Sequence, residues 1–141
     1  MSEPAESSVP PPIVALAQWL VPGAGYWIIG QRARGVTVGV TVLVLFILGL
    51  IIGGMRVIDM PTSLGDNPVT AIFQKPWFMG QVLAGPISIV SAMIGNEKAG
   101  YVLSHARVNE IGTLYTAVAG MLNLLAIIDS AYRSARQEGG E

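Results

Sequence analysis

The chain has 141 residues, of which 52% are hydrophobic and 12% are charged, and its formal net charge is −1 at pH 7. A typical soluble domain is about 25% charged, and a chain of this length cannot bury so much apolar surface in a core of its own. The composition therefore excludes an ordinary soluble domain and favours a protein of the lipid bilayer, and the charge balance gives no reason to expect nucleic acid as a partner.

The first twelve residues predict a disordered tail that is acidic and rich in proline. Glu3 and Glu6 supply its charge, no Lys or Arg is present, and three prolines end it at residues 10–12. A secretory signal would begin with basic residues, so we do not interpret residues 1–12 as one. The last proline suits the first position of a helix, where its missing N–H group costs nothing. We therefore expect a folded domain over residues 13–132.

Residues 13–30 form the first hydrophobic segment, and Pro22, Gly23 and Gly25 interrupt it. Proline removes a backbone hydrogen bond and glycine adds conformational freedom, so we predict a kink or a break there. At about 1.5 Å per residue, a continuous helix of this length would barely cross a membrane. Two arrangements remain open. The segment is either a kinked membrane span or a re-entrant hairpin that leaves the membrane on the side from which it entered.

Residues 35–55 form the longest uncharged stretch, which lies between Arg34 and Arg56. A run of about 18 or more apolar residues is long enough to cross the hydrocarbon core as a helix. Many of these residues are Val and Thr, which favour strands in water. In lipid the backbone must satisfy its own hydrogen bonds, so we predict a membrane-spanning helix. The connector at residues 31–34 is so short that this helix must pack antiparallel to the first segment.

The third hydrophobic segment covers residues 77–95. Pro76 would precede it as the first helical residue, and Trp77 would anchor it at the membrane interface. Pro86 lies near its middle and should kink the helix there. We therefore predict a second helix of membrane length with a bend at its centre.

The fourth hydrophobic segment covers residues 111–128, and a polar tail follows at residues 133–141. Together the four segments predict an all-α integral membrane bundle whose first segment is kinked or re-entrant. An arrangement with four spans divides the eight basic residues of the chain equally between the two sides of the membrane. Their distribution therefore does not fix the orientation.

Small and polar residues recur at helical spacing on the last three segments. They are Gly35, Gly39, Gly49 and Gly53 in the second segment, Gln81, Gly85, Ser88 and Ala92 in the third, and Gly112, Thr116, Gly120 and Asn123 in the fourth. Small residues let membrane helices approach closely, and amides can form hydrogen bonds across the contact. We interpret these residues as packing positions within the bundle. The alternative is an interface with a second copy or with a partner membrane protein.

Three amides lie within hydrophobic segments, at Gln18, Gln81 and Asn123. A polar residue at membrane depth is a candidate for a functional site. No acidic residue lies at the centre of a segment, so a proton relay is not expected. We interpret the amides as structural hydrogen-bonding groups, and a substrate site is the alternative.

The sequence predicts no cofactor, no metal site and no enzymatic activity. There are no cysteines, His105 is the only histidine, and no catalytic triad or phosphate-binding loop is present. If the protein were an enzyme, its candidate catalytic residues would be Asp129, Glu110 and His105. Asp129 could instead pair with Arg133 one turn later, or with Arg32 or Arg34 if the topology brings the two ends together.

The first segment resembles a motif of small bacterial membrane proteins of unknown function. The residues that carry the resemblance are WLVPGAG at 19–25, an aromatic pair after it, and Gly30-Gln31-Arg32. The stretch is also similar, more distantly, to the two-helix transmembrane domain family, which has a glycine-rich first helix and a short polar turn. The last segment, from Glu110 to Asp129, resembles the final span of the same uncharacterised family. The resemblance implies a multi-pass protein of the bacterial inner membrane and names no reaction.

We therefore expect a non-enzymatic interaction or scaffold component that is embedded in the bilayer. The alternative is a small transporter or channel-like subunit that acts as an oligomer. In either case the expected partners are the lipid bilayer, a second copy of the chain or another membrane protein.

Overall fold

A computed structural model describes residues 9–54, 57–58, 76–97 and 106–139. Within these ranges all regular secondary structure is helical, so the all-α prediction is confirmed. The helices are α1 (Pro11–Leu20), α2 (Ala24–Ile28), α3 (Arg32–Gly53), α4 (Pro76–Val82), α5 (Pro86–Glu97) and α6 (Ala106–Glu138). Residues 1–8 of the predicted tail, which covers 1–12, and His105 lie outside the described residues. α1 begins within the predicted tail, at Pro11, so the tail does not extend to residue 12.

Two of the described helices are long and apolar enough to cross a membrane, and these are α3 and α6. α3 begins at Arg32, three residues before the predicted start at Gly35, because the connector already adopts helical geometry. α6 has 33 residues and continues to Glu138, so most of the predicted polar tail at 133–141 is helical. The apolar run marked only the part of α6 with membrane character. Ser, Arg and Gln are compatible with a helix and prolong it beyond that run.

α3 and α6 pack antiparallel, and their backbones touch through glycines. Thr116 lies against Gly49, and Gly112 lies against Gly53, so α6 runs backwards as α3 advances. A Cβ atom at Gly112 would stand 2.5 Å from the Cα atom of Gly53 and 2.7 Å from the carbonyl oxygen of Gly49. Such a contact leaves no room for any side chain, and Phe46 is completely buried in the same interface. Glycine is therefore required where these two helices cross.

α1 packs antiparallel to α6 and reaches only its middle. The Ser134 hydroxyl donates a hydrogen bond to the carbonyl oxygen of Val9, at the start of α1. Nearer the end of α1, the Gln18 amide nitrogen donates to the Asn123 side chain of α6 at 3.1 Å. α1 therefore starts near the end of α6 and advances along about a third of the length of α6, as far as its middle.

After α1 the chain turns, and α2 leads it back towards the C-terminal end of α6, beside which α1 began. Gly23 makes the turn with φ 97°, a left-handed conformation that glycine adopts without strain. The turn fits tightly against α3, because a Cβ atom at Gly39 would stand 2.6 Å from the carbonyl oxygen of Pro22. After α2, the Gln137 amide donates to the carbonyl oxygen of Ile29 at 3.4 Å. The start of α1, the connector into α3 and the last turns of α6 thus share one end of the bundle.

α4 approaches the middle of α6 from the opposite end of the bundle. Gly80 lies against Ala117, and three residues later the carbonyl oxygen of Leu83 accepts a hydrogen bond from Asn123. The helix ends at Val82, and Gly85 turns the chain with φ 104° before Pro86 begins α5. The third predicted segment is therefore two helices rather than one, because a left-handed residue and a proline follow each other at its centre.

The described surface is apolar and the described interior is partly polar. Among the most exposed large side chains are Ile51, Leu125, Leu114 and Met93. The buried polar side chains are Gln18, Gln81, Ser88, Ser91, Thr116, Asn123, Ser130 and Ser134. A soluble protein buries its large apolar side chains and exposes its amides. Here Val14, Val42 and Phe46 are buried as well, but the amides are inside and many large aliphatic side chains are outside. Such a surface matches one that is covered by something other than water.

Replacing Gly112 with alanine tests the close approach of α3 and α6. The added Cβ would press on backbone atoms of Gly49 and Gly53, which cannot rotate away as a side chain can. Overpacking of this kind costs typically about 1–3 kcal/mol. We expect Gly112→Ala to unfold at a clearly lower temperature than the wild type in detergent, as measured by circular dichroism.

Gly139→Ala is the matched control, because the nearest atom to its added Cβ is 3.6 Å away, an ordinary van der Waals distance. This variant should unfold at the wild-type temperature. If Gly112→Ala and Gly139→Ala unfolded at the same temperature, the direct contact between the α3 and α6 backbones would be wrong.

Candidate functional site

Asn123 is the polar centre of the bundle, and it joins α1, α4 and α6. Its amide nitrogen donates hydrogen bonds to the carbonyl oxygens of Leu83 at 2.9 Å and Gln18 at 3.4 Å. Its amide oxygen accepts a hydrogen bond from the Gln18 side chain at 3.1 Å. The residue is completely buried. Both donor hydrogens and the acceptor of Asn123 are therefore used within the chain.

These bonds satisfy carbonyl groups at two helix ends. The last carbonyl groups of a helix have no partner within that helix. α1 ends at Leu20 and α4 ends at Val82, so both helices expose such groups near the middle of α6. The indole nitrogen of Trp19 donates to the carbonyl oxygen of Val82 at 3.2 Å. Side chains of α1 and α6 thus satisfy the carbonyl groups that the two broken segments leave free.

Gln18 also connects the two arms of the first hairpin. Its amide oxygen accepts a hydrogen bond from the backbone N–H group of Gly25 at 3.0 Å. This N–H group belongs to the first turn of α2, where backbone donors lack a partner within the helix. A Cβ atom at Gly25 would stand 2.9 Å from both the Cβ atom of Gln18 and the hydroxyl oxygen of Ser130. Glycine at this position lets α2 lie directly against α1 and α6.

Gln81 holds the third hydrophobic segment, which is also broken, in a similar way. Its amide nitrogen donates to the Thr116 hydroxyl at 2.8 Å and to the carbonyl oxygen of Val57 at 3.0 Å. Gln81 precedes Gly85 by four residues, as Gln18 precedes Pro22 by four. A glutamine one turn before a break therefore occurs twice. This repeated spacing is the sequence signal that could have linked the two amides to the same structural task.

Each predicted packing residue lies against another part of the same chain. Gly120 faces the carbonyl oxygen of Gly80 and the backbone of Ala84, and Gly85 faces the carbonyl oxygen of Trp19. The complete set is Gly35, Gly39, Gly49, Gly53, Gln81, Gly85, Gly112, Thr116, Gly120 and Asn123. These positions are therefore occupied from within the described bundle.

Asp129 lies at the end of the bundle that holds the connector. One of its oxygens accepts hydrogen bonds from the Tyr26 hydroxyl and from the Arg133 guanidinium, both at 2.8 Å. Arg34 is near enough for its charge to act on the same carboxylate. Of the two pairings considered from the sequence, the direct ion pair is the one with Arg133. The Tyr26 bond fixes α2 to α6 at this end.

Two of the clefts at this end of the bundle adjoin each other, because Gln31 and Arg133 line both. The larger one has a volume of about 480 Å³ and is lined by Gly30, Gln31, Arg32, Ala33, Arg34 and Arg133. The smaller one has a volume of about 250 Å³ and is lined by Gln31, Asp129, Tyr132, Arg133, Arg136 and Gln137. The sequence suggests a pairing of Asp129 with a connector arginine, but it does not predict a cleft lined by these arginines. Their closeness to the arginines of α6 follows from the return of the first hairpin to its starting end.

The two candidate catalytic residues that the structure describes, Glu110 and Asp129, do not come together. Glu110 and Asp129 are 19 positions apart on the same helix, which places them about 28 Å apart. Within the described ranges there is also no group of three metal-ligating side chains.

A protein-family model described as a family of unknown function, DUF6677, matches residues 13–140. The match begins at the residue predicted to start the folded domain and includes both long helices. The expected relation to an uncharacterised family is therefore confirmed. Neither a curated protein nor a solved structure matches the chain.

A double-mutant cycle between Gln18 and Asn123 tests the polar centre. Gln18→Leu and Asn123→Leu each remove the side-chain bond between α1 and α6. Because this bond is already lost in either single variant, the double variant should lose less stability than the sum of the two. Interhelical hydrogen bonds in membrane proteins are worth about 0.6–1.7 kcal/mol, and we expect a coupling of that size from unfolding midpoints in mixed detergent.

Met121→Leu is the control partner for Gln18→Leu, because Met121 is on the exposed face of α6. Its effect should add to that of Gln18→Leu without coupling. Additive effects for Gln18 and Asn123 as well would show that the bond between them does not stabilise the fold.

Proposed function

We propose, for a chain that belongs to the family of unknown function DUF6677, the role of a non-enzymatic scaffold or interaction component embedded in a lipid bilayer. The observation that carries this proposal is the distribution of apolar and polar side chains between the surface and the interior. Large aliphatic side chains face outwards, while amides and hydroxyls are buried and bonded to one another. Lipid is the solvent in which such a surface is favourable.

Aromatic side chains at the two ends of the bundle support the same proposal. Trp27 and Tyr132 are exposed at the end that holds the connector, and Trp77 is exposed at the start of α4. Trp and Tyr are enriched at the two interfaces between a membrane and water. The apolar surface between them would then face the acyl chains. The bacterial inner membrane is the location that the sequence resemblance implies.

The topology that we propose has two spans and two half-membrane segments. α3 and α6 cross in opposite directions, so the end of α3 and the start of α6 lie on one side. The third segment must then enter and leave on that side, and α4 reaches only the level of Asn123. The first segment enters from the opposite side and returns there. We therefore favour the re-entrant hairpin over the kinked span for residues 13–30.

The bonding of the central amides supports a scaffold rather than a permeation path. Asn123 uses both of its donors and its acceptor within the chain, and both donor hydrogens of Gln81 are used. A substrate would have to displace these bonds in order to be bound there. The amides instead hold the ends of α1 and α4 in place. A catalytic role has no support from the spacing of the titratable residues.

The second candidate function is a transporter or channel-like subunit that acts as an oligomer. It is favoured by the two broken segments, whose helix ends meet at the middle of the bundle. Membrane transporters build their binding sites from discontinuous helices at this depth. In such an oligomer, the permeation path would lie between copies rather than within one bundle.

Single cysteines test the topology, because the chain has no native cysteine. Ser7→Cys, Ala33→Cys and Glu138→Cys should react with an impermeant thiol reagent from one side of the membrane. Asp66→Cys and Ser104→Cys should react from the other. Labelling of positions 7 and 33 from opposite sides would mean that the first segment crosses. Labelling of 66 and 104 from opposite sides would mean that the third segment crosses.

Reconstituted vesicles test the function. A scaffold should leave proton and potassium gradients to decay at the rate of protein-free vesicles. A channel-like oligomer should collapse at least one of them, and an added ionophore confirms that the vesicles were sealed. Light scattering on the same preparation gives the number of chains per particle. Collapse of a gradient by an oligomer would replace the scaffold proposal with the transport alternative.

A further inference from the structure

One end of the bundle carries more positive than negative charge around a cleft. Arg32 and Arg34 of α3 and Arg133 of α6 line the cleft of about 480 Å³, and Arg136 lines the adjoining one. Asp129 is engaged by Arg133. Among the described residues, Arg32 and Arg34 have no carboxylate at ion-pair distance. The cleft is therefore an open concave surface whose charge favours an anion.

The connector arginines, Arg32 and Arg34, also occupy helix positions at which a positive charge is unfavourable. Arg32 and Arg34 lie in the first turn of α3, at the positive end of the dipole of a 22-residue helix. The first turn contains no acidic residue, and no side chain caps the helix. An anion held by these arginines would also be attracted by the end of the helix. Asp129 acts on Arg34 only from beyond ion-pair distance. Positions that break a local rule are frequently functional.

Gln31 adds a specific feature to the same place. It lines both clefts, and its side-chain oxygen is buried with no hydrogen-bond partner among the described residues. This oxygen can only accept a hydrogen bond. A buried acceptor without a donor is costly. Rotation of the Gln31 side chain towards the cleft would bring this oxygen within reach of a hydroxyl group there, which would supply the donor.

We propose that this cleft binds a phosphate ester that carries a hydroxyl group, which is the chemistry of a phosphoglycerol headgroup. The guanidinium groups of Arg32, Arg34 and Arg133 would bind the phosphate oxygens. Gln31 would accept the bond from the hydroxyl. Arginine suits this task because its planar donors match phosphate oxygens in pairs.

The source of the phosphate ester follows from where the cleft lies. Trp27 and Tyr132 are exposed at the same end of the bundle, at the depth where aromatic side chains meet lipid headgroups. Binding of a lipid headgroup rests on the membrane location proposed above, whereas binding of a soluble glycerol phosphate does not depend on that location. The experiment therefore uses both probes.

The binding test uses the purified full chain in detergent with short-chain lipids. Phosphatidylglycerol should bind and raise the unfolding temperature, and phosphatidylcholine at the same concentration should do so much less. Near a membrane surface each arginine contributes about fivefold to the attraction of an anionic lipid. We expect Arg34→Gln to weaken phosphatidylglycerol binding about fivefold, and Arg32→Gln with Arg34→Gln together to weaken it about 25-fold.

Two variants separate a specific site from general attraction. Arg107→Gln makes the same change in charge in the first turn of α6, at the opposite end of the bundle, and should leave binding unchanged. Gln31→Leu removes the unpartnered acceptor. It should weaken phosphatidylglycerol binding while the protein without lipid keeps or gains stability, whereas a purely structural glutamine would lower that stability.

Equal binding of phosphatidylglycerol and phosphatidylcholine, or an equal loss in Arg107→Gln and Arg34→Gln, would overturn the proposal. Binding of sn-glycerol 3-phosphate that depends on Arg34 would support the phosphate site and assign it to a soluble ester. That outcome would stand even if the cysteine labelling showed that α3 and α6 do not cross a membrane. Failure of the site and failure of the proposed function are therefore distinguishable.

Discussion

The hydrogen bonds of the Asn123 amide hold together the ends of two helices that stop in the middle of the bundle. A carbonyl group without a partner costs several kcal/mol in hydrocarbon, so a helix cannot end there unless protein supplies donors. Asn123 and Trp19 supply them to Gln18, Leu83 and Val82. In the proposed bilayer location, the two broken segments can end at the middle of the bundle only because those donors are in place.

Close backbone packing is the second requirement of the same arrangement. A donor on α6 reaches a carbonyl group on α1 or α4 only if these helices lie almost in contact with α6. Gly120 permits this on the α4 side by lying against the carbonyl oxygen of Gly80, and Gly25 permits it where α2 meets α6. The glycine positions and the central amides are therefore parts of one structural solution. Enlarging a glycine would weaken the hydrogen bonds as well as the packing.

The sequence predicts where the helices and the break lie better than it predicts the direction in which each segment runs. The uncharged run at 35–55 and the break at Pro22-Gly23 follow from local chemistry, because length, charge and proline act on the residues that carry them. Whether residues 13–30 cross or return depends on the contacts of Gln18 and Tyr26 with residues more than 100 positions away. Hydropathy measures how long a segment stays apolar, and it gives no direction. The length of the apolar run likewise does not predict that α6 extends to Glu138, since polar residues can be helical outside that run.

The return of the first hairpin also explains why charge collects at one end. It brings the connector arginines, which a crossing segment would have carried to the other side, next to the arginines of α6. Arg32 and Arg34 then oppose the helix dipole, an effect of about 0.3–1 kcal/mol for each charge, and they face Arg133 as well. The glycine contacts and the amide bonds would persist with neutral residues at 32 and 34, because neither arginine takes part in them. The fold therefore does not require these charges, and an anion in the cleft is the contact that would make them favourable.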